Sequence, residues 1–220
     1  MPPRELVVKR LGLANYECVW LQMKQFTEER SAATHDELWL VEHYPIFTLG
    51  QAGKKEHLLA PGDIPIVRTD RGGQVTYHGP GQLIAYLLFD LKRLNITVRD
   101  LVSGIEESII NLLSEYGIDS EVRKGAPGVY VAERKIAALG LRIRKGCSFH
   151  GLSLNIDMDL EPFARINPCG FEGLEVVQLS QLGVTDNLEK IAGRLAGQIS
   201  QSFGYDSIEF AGAELNGSHG

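Results

Sequence analysis

The chain has 220 residues, which is enough for one well-buried domain and short for two. Hydrophobic residues make up 44% and charged residues 23% of it, which excludes an intrinsically disordered chain, and no apolar run is long enough to cross a bilayer. The formal net charge of -6 argues against nucleic acid as a partner, and the missing membrane segment argues against a membrane protein.

The beginning of the chain and its cysteines favour a reducing compartment. Residues 2–9 contain neither an extended apolar core nor a small-residue cleavage site, so no signal peptide is expected and we predict a cytoplasmic protein. Three cysteines without a CxxC pair do not indicate a disulfide framework. The six histidines show no zinc-ligand spacing to a cysteine, so no metal site is predicted.

Apolar periodicity predicts three helices and seven strands. In chain order they are strand 5–9, helix 15–30, strands 38–43, 64–69 and 83–89, helix 98–116, strands 128–132, 135–144 and 148–156, and helix 188–203. Thr97 and Asp100 form a predicted N-cap for the second helix, and Gly117 a predicted stop. We predict one domain over residues 1–210 and a disordered tail over 211–220.

The last three strands are separated by the short polar turns 133–134 and 145–146, which indicates an antiparallel meander. Strands gathered in the middle of the chain, with helices before, between and after them, predict the α+β class. The expected architecture is therefore a mixed, largely antiparallel sheet flanked by helices.

Lys135 is the first candidate for a functional residue. Strict alternation along strand 135–144 places Lys135 at the start of the apolar row that contains Ala137 and Leu139. An ammonium there needs a partner, unless Lys135 lies at the strand edge and its long side chain reaches water. The pattern alone favours the second alternative.

Cys169 is the second candidate. It lies between Pro168 and Gly170, residues that favour a turn, and a cysteine on a turn can be exposed and close to a cation, as a reactive thiolate must be. The alternative is an incidental thiol. Cys18, within the first helix, and Cys147, at the start of a strand, are predicted to have packing roles.

The third candidate is the loop over residues 71–82, which mixes glycine and proline with Arg71, Thr76, Tyr77 and His78. Glycines let backbone N–H groups approach a carbonyl oxygen or a phosphate closely. The loop matches neither a P-loop nor a GxGxxG motif. The composition of this loop fits a ligand-binding loop and a structural loop equally well. His78 is either a general base or a residue that caps the turn.

Four segments in this order and spacing resemble the lipoyl(octanoyl) transferase family. They are RGGQVTYHGPGQL (71–83), KIAALGLRI (135–143), FHGLSLN (149–155) and INPCG (166–170), and no motif position departs from the family pattern. The resemblance is strong over residues 38–183. It implies the catalytic-domain fold of the biotin/lipoate protein ligase superfamily, and transfer of an octanoyl group onto proteins as the first step of protein lipoylation.

The resemblance also implies the site residues and partners. Cys169 would carry the octanoyl group as a thioester, and Lys135 would lower the pKa of its thiol. The donor would be octanoyl-acyl carrier protein, and the acceptor a lysine on lipoyl domains of 2-oxoacid dehydrogenase subunits or on the glycine-cleavage H protein. No cofactor is needed, because exchange between thioesters is nearly isoenergetic. The substrate-binding residues would be Arg71, Gly72, Gly73, Gln74, Val75, Thr76, Tyr77, His78, Ala138, Leu139, Gly140, Gly151, Leu152 and Ser153.

Two questions stay open at this stage. An ATP-dependent lipoate or biotin protein ligase on the same scaffold would not need the thiol, and a partner-binding protein without activity would need neither Cys169 nor Lys135. An acidic carrier protein would also require a basic docking patch, for which Arg142, Arg144 and Lys145 are candidates; the alternative is a solvated strand end.

Overall fold

The computed structural model describes residues 4–170 and 173–212, and for Cys169 it describes the backbone only. Four α-helices lie in these ranges: α1 (Tyr16–Glu29), α2 (Leu91–Leu94), α3 (Val98–Glu115) and α4 (Leu188–Ser202). The three long helices confirm the prediction from periodicity. Side-chain caps begin each of them: Asn15 for α1, Thr97 with Asp100 in a capping box for α3, and Asn187 for α4.

The strands form two sheets. The strands are β1 (Glu5–Ala14), β2 (Asp36–His43), β3 (Ile46–Leu49), β4 (Ile66–Arg68), β5 (Val75–His78), β6 (Gln82–Leu88), β7 (Glu121–Arg123), β8 (Ala126–Val131), β9 (Arg134–Arg144), β10 (Cys147–Asn155) and β11 (Ser207–Ala211). Eight of them form one sheet in the order β11-β1-β2-β6-β10-β9-β8-β7, and β4-β3-β5 form a second, small sheet.

The large sheet is mixed. β11, β1 and β2 are parallel, whereas every other neighbouring pair is antiparallel. The α+β class, the largely antiparallel sheet and the β8-β9-β10 meander are therefore confirmed. Four strands were not predicted, β3, β5, β7 and β11, and the predicted strand 64–69 is reduced to the three residues of β4 in the small sheet.

One predicted turn is shifted by a residue. The β8–β9 turn is Ala132-Glu133, with φ of 46° and 74°, and not 133–134; the β9–β10 turn is Lys145-Gly146 as predicted. Both turns have two consecutive residues with positive φ, the geometry whose twist matches that of an antiparallel hairpin. Of the tail, Ala211 ends β11, and residues 213–220 lie outside the described residues.

Helices cover the two faces of the large sheet. α3 and α4 pack on one face over the main apolar core, which contains Leu83, Leu87 and Leu154, and α1 packs on the other through Val19 and Met23. Among the described residues, no helix has both the length and the apolarity that a bilayer crossing requires.

The buried carboxylate of Asp36 joins four separate segments. It accepts hydrogen bonds from Arg30 at the end of α1 (2.7 Å), from Arg93 in α2 (2.6 Å), from the backbone N–H of Asp90 (2.7 Å) and from Tyr205 after α4 (3.0 Å). Because two guanidinium groups and two neutral donors surround it, the buried charge of Asp36 is fully compensated.

Candidate functional site

A cavity of about 370 Å³ is lined by Tyr16 of α1, by Val98 and Val102 of α3, and by residues of the large sheet. The Gly-rich loop before β5 forms one wall, and β9 and β10 supply another. The cavity wall includes every predicted substrate-binding residue except Tyr77. The motifs that are distant in sequence therefore meet around one space of the size that small ligands occupy.

Tyr77 lies on the other side of β5. Its ring packs against Phe47 and Phe163 in a separate apolar cluster, at centroid distances of 5.5 Å and 5.6 Å. Alternation along β5 explains the difference, because its neighbours Thr76 and His78 line the cavity. Tyr77 thus supports the loop from behind.

Lys135 lies at the cavity wall and is only 3% exposed, so the strand-edge alternative with a solvated amine is wrong. A β-bulge explains why strict alternation failed. Tyr130 pairs with Lys135 but Val129 pairs with Ala137, so Ile136 is an extra residue in β9. Ile136 and Ala137 both enter the main core, and Lys135 lines the cavity together with Ala138.

The environment of the Lys135 ammonium suits a cation. Its Nζ donates to the backbone oxygen of Pro127 at 3.1 Å and lies 5.1 Å from the centroid of the Tyr130 ring. The carboxylate of Glu106 accepts from the N–H of Gly128, the residue after Pro127, and thereby ties α3 to this part of β8.

The turn that contains Cys169 adjoins this region. Pro168–Gly170 form a single 3₁₀ turn beside β5, and Pro168 lines a small space together with Lys135 and Thr76. Val176, shortly after the turn, forms a bridge to Lys135 in the backbone ladder. The backbone of the turn thus lies next to Lys135. The side chain of Cys169 lies outside the described residues, so its predicted contact with Lys135 stays a prediction.

Arg71 holds the Gly-rich loop in its conformation. The guanidinium is buried and donates to the backbone oxygens of Thr48 (2.7 Å), Gly72 (2.8 Å) and Gln74 (2.9 Å), and to the Thr48 hydroxyl (2.8 Å). A side chain with this many donors to backbone carbonyls fixes the path of the chain. The geometry shows Arg71 in a positioning role at the cavity wall.

His78 is engaged by the protein on both ring nitrogens. Its Nδ1–H donates to Gln82 at 2.7 Å, and Nε2 accepts from the Thr48 hydroxyl at 3.4 Å. Burial, followed by the nearby His43, lowers the pKa of His78 to about 3. These contacts favour the structural alternative for His78 over the general base.

A second buried histidine, His43, lies behind the cavity wall. Its Nδ1–H donates to the backbone oxygen of Ala14 at 2.9 Å, since a carbonyl can only accept, and its Nε2 accepts from the Tyr86 hydroxyl at 2.7 Å. Burial lowers the pKa of His43 to about 4, against the opposing effect of the Ala14 hydrogen bond.

Sequence reasoning missed several residues of the cavity wall. They are Tyr16, Ile84, Tyr86, Val98, Val102, Gly125, Ala126, Pro127, Leu141 and His150, besides Lys135, which was predicted as catalytic. Tyr16 belongs to the apolar stripe of α1 and Ile84 to an apolar strand, so the sequence pattern marks both as core. His150 lies in the FHGLSLN motif, which was the one available signal.

The candidate docking patch is partly neutralised. Arg144 and Lys145 both form ion pairs with Glu28, and these pairs lower the pKa of that carboxyl group. Arg142 is half-buried and forms no ion pair among the described residues.

Comparison with known proteins identifies relatives of this chain. The family profile of the lipoyl protein ligase A/B catalytic domain matches residues 15–200. The chain is 58% identical over 207 residues to an octanoyltransferase of Vibrio campbellii, covering 94% of each chain. It is 56% identical over 211 residues to an octanoyltransferase of Shewanella loihica, covering 95% of this chain and 97% of the relative.

Solved structures agree on the fold. A bi-partite lipoate protein ligase of Thermoplasma acidophilum superimposes with a TM-score of 0.74 at 17% identity, covering 97% of this chain and 87% of the other. The biotin protein ligase of Aquifex aeolicus in complex with biotin and ATP gives a TM-score of 0.58 at 13% identity, covering 90% of this chain and 70% of the other. These similarities confirm the predicted ligase-type catalytic-domain fold.

Proposed function

The chain belongs to the family of lipoyl protein ligase A/B catalytic domains and to the octanoyltransferases within it, and on this premise we propose that it transfers an octanoyl group through a thioester on Cys169. It is an acyltransferase of protein lipoylation. The observation that supports the thioester route best is the buried Lys135, which lies at the cavity wall beside the Pro168–Gly170 turn.

The first step is attack of the Cys169 thiolate on the thioester of octanoyl-acyl carrier protein. A free thiol has a pKa of about 8.5, so a nearby ammonium is needed to give a useful thiolate fraction at neutral pH. The new C–S bond forms at Cys169 as the bond to the carrier sulfur breaks, and the carrier thiolate takes its proton from the Lys135 ammonium. One thioester replaces another, so no ATP is consumed.

The second step moves the acyl group to an acceptor lysine. The neutral amine of the acceptor attacks the Cys169 thioester, an amide bond forms, and the Cys169 thiolate leaves. Lys135, neutral after the first step, takes the proton that the attacking nitrogen loses, which restores the starting pair. If Lys135 is this base, Lys135→Arg should lose turnover at neutral pH; full activity of that variant would exclude the role.

The cavity supplies the acyl slot. Ala138 and Gly140 on β9 face Gly151 and Ser153 on β10, and these small side chains leave room for an alkyl chain between them. A side chain at Gly140 would be tightly placed in this wall, because its Cβ atom would lie 3.0 Å from Cδ of Arg71. Each methylene buried in the slot contributes about 0.8 kcal/mol to binding of the acyl chain. The depth of the slot therefore determines which chain length binds best.

The proposed partners are the acyl carrier protein as donor, and lipoyl domains of 2-oxoacid dehydrogenase subunits and the glycine-cleavage H protein as acceptors. The site agrees with macromolecular substrates because its rim is open at Val98 and at residues 125–127. We place the reaction in the cytoplasm, where a nucleophilic thiol stays reduced.

Intact-protein mass spectrometry tests this function. The protein is incubated with octanoyl-carrier protein, and we expect an octanoyl adduct that hydroxylamine removes and that maps to Cys169. Cys169→Ala should lose the adduct and the transfer to a lipoyl domain. Cys18→Ala and Cys147→Ala are the matched controls: Cys18 is exposed in α1, and burial raises the pKa of the Cys147 thiol.

An adduct that forms only when ATP is added, or full transfer by Cys169→Ala, would contradict the thioester route and favour the ATP-dependent ligase. Absence of any acyl transfer to a lipoyl domain by the unmodified protein would contradict the choice of acceptor.

A further inference from the structure

His150 has an unusual backbone conformation in the middle of a buried strand. Its φ is 61°, in the left-handed region, which is unfavourable for a residue with a side chain. Alternation along β10 would place His150 on the side of Leu154, in the main core. Instead its ring stacks on Phe149 at 5.0 Å and meets Tyr86 edge-on at 6.1 Å, on the cavity side.

The hydrogen bonds of His150 fix its tautomer. Its Nε2–H donates to the carboxylate of Asp70 at 2.9 Å, and the same oxygen accepts from the Trp20 indole N–H at 2.8 Å. Burial is the largest single effect on the pKa of Asp70 and raises it, but the interactions with His150 and the hydrogen bond from Trp20 together outweigh burial, and the pKa is lowered overall. Burial likewise lowers the pKa of His150 against the opposing effect of Asp70, so the imidazole is neutral at pH 7.

The other ring nitrogen, Nδ1, is therefore a hydrogen-bond acceptor. Nδ1 is buried and has no hydrogen-bond partner in the described part of the chain, although His150 lines the cavity and is only 1% exposed. A buried acceptor without a donor destabilises the folded protein. An unpaired acceptor in a cavity wall is a position at which a bound molecule can place an O–H or N–H group.

Strand pairing separates Lys135 Nζ from His150 by about 10 Å along the strands and by two strand spacings of about 4.8 Å across them, or about 14 Å in all. Lys135 Nζ donates to the backbone oxygen of Pro127 in β8. The next residue of β8 pairs with Ala138 of β9, and Ala138 pairs with Ser153 of β10. His150 is three residues along β10 from Ser153, or about 10 Å. An extended chain advances about 1.2 Å per bond, so the eight bonds from the carbonyl carbon to a hydroxyl oxygen on the terminal carbon cover about 10 Å, and a hydrogen bond adds about 3 Å.

We propose that His150 recognises the distal end of the acyl chain by accepting a hydrogen bond on Nδ1 from a hydroxyl group on the terminal carbon. The acyl site then takes ω-hydroxyacyl groups of about eight carbons as well as plain octanoyl. A longer alkyl chain is disfavoured, because its apolar end would cover Nδ1 and leave the acceptor unpaired. This inference rests on the proposed octanoyl transfer.

The test compares two donors with the same acceptor, octanoyl thioester and 8-hydroxyoctanoyl thioester, in competition. His150→Phe removes the acceptor, and we expect the ratio of kcat/KM for the hydroxylated chain to that for octanoyl to fall about tenfold. The relative rate with decanoyl thioester should rise in the same variant. His35→Phe, an exposed histidine outside the cavity wall, is the matched control and should keep the ratio of the unmodified protein.

A second measurement needs no variant, in case phenylalanine does not tolerate the left-handed backbone. In the unmodified protein labelled with ¹⁵N-histidine, 8-hydroxyoctanoic acid should shift the Nδ1 resonance of His150, and octanoic acid should shift it much less. Equal responses to the two acids overturn the inference.

The two hypotheses fail separately. Octanoyl transfer with a donor ratio that His150→Phe leaves unchanged overturns the recognition by His150 alone. Failure of the unmodified protein to transfer either chain overturns the proposed function, and the ¹⁵N titration with the free acids then still decides the inference.

Discussion

The buried histidine His43 predicts how the stability of this protein depends on pH. His43 is fully buried, and its Nε2 accepts the Tyr86 hydroxyl proton, so protonation of Nε2 would both bury a charge and break that hydrogen bond. The pKa of His43 is lowered from 6.5 to about 4 by burial. Because the folded-state value is the lower one, its contribution to stability is present above pH 6.5 and is lost as the pH falls towards 4.

The size of this effect follows from linkage. The pKa of His43 is 6.5 in the unfolded chain and about 4 in the folded protein. Lowering the pH from 7 to 5 should therefore reduce the free energy of unfolding by about 2 kcal/mol through His43 alone. His43→Gln removes the titration and keeps both hydrogen bonds within reach, because an amide can donate to Ala14 and accept from Tyr86. The variant should therefore lose about 2 kcal/mol less than the parent over this pH range.

Urea unfolding at pH 7 and pH 5 measures the difference. His35→Gln is the control, since the side chain of His35 is 57% exposed and its replacement should leave the pH dependence as it was. If His43→Gln loses as much stability between the two pH values as the parent does, the buried neutral imidazole does not control the acid stability and the reasoning fails.

Three further predictions concern transfer. Lys135→Met should lower octanoyl transfer by at least about 100-fold and move alkylation of Cys169 by iodoacetamide to higher pH; an unchanged alkylation profile would contradict the proposed pair. Gly140→Val should lower kcat/KM for octanoyl by about tenfold relative to butanoyl, because its side chain enters the slot beside Arg71; equal losses for both chains would argue against a slot. Arg142→Glu should raise KM for carrier-bound octanoyl but not for a small thioester, and an unaltered salt dependence would exclude docking there.

The long helices could be predicted because periodicity and caps agree in them. The stripe of α3, the Thr97 cap and Gly117 all indicate the same boundaries, and the structure follows them. β3 and β5 have only four residues each, and β5 lies inside a Gly-rich loop, so neither gives a signal of its own. They become strands by pairing with each other, a tertiary effect that local sequence does not contain.

The site illustrates a second limit of pattern reasoning. Strict alternation placed Lys135 on the wrong face, because the bulge at Ile136 changes the order of faces by one residue. The left-handed backbone of His150 has the same effect in β10. Tyr16 shows a different limit: an apolar residue of a helix stripe has the same sequence signature whether it packs in a core or lines a cavity.

The contacts of Asp36 determine which wall of the acyl slot can move. Tyr16 closes the slot from α1, and the far end of α1 is joined through Arg30 to the Asp36 carboxylate, which also binds Arg93 and Tyr205. Swinging α1 outward would pull Arg30 from Asp36 and break a charge-assisted contact in the protein interior, whereas the rim at residues 125–127 is already open to solvent. Acyl chains are thus expected to thread in and out past the β7–β8 hairpin while α1 stays fixed as the back wall.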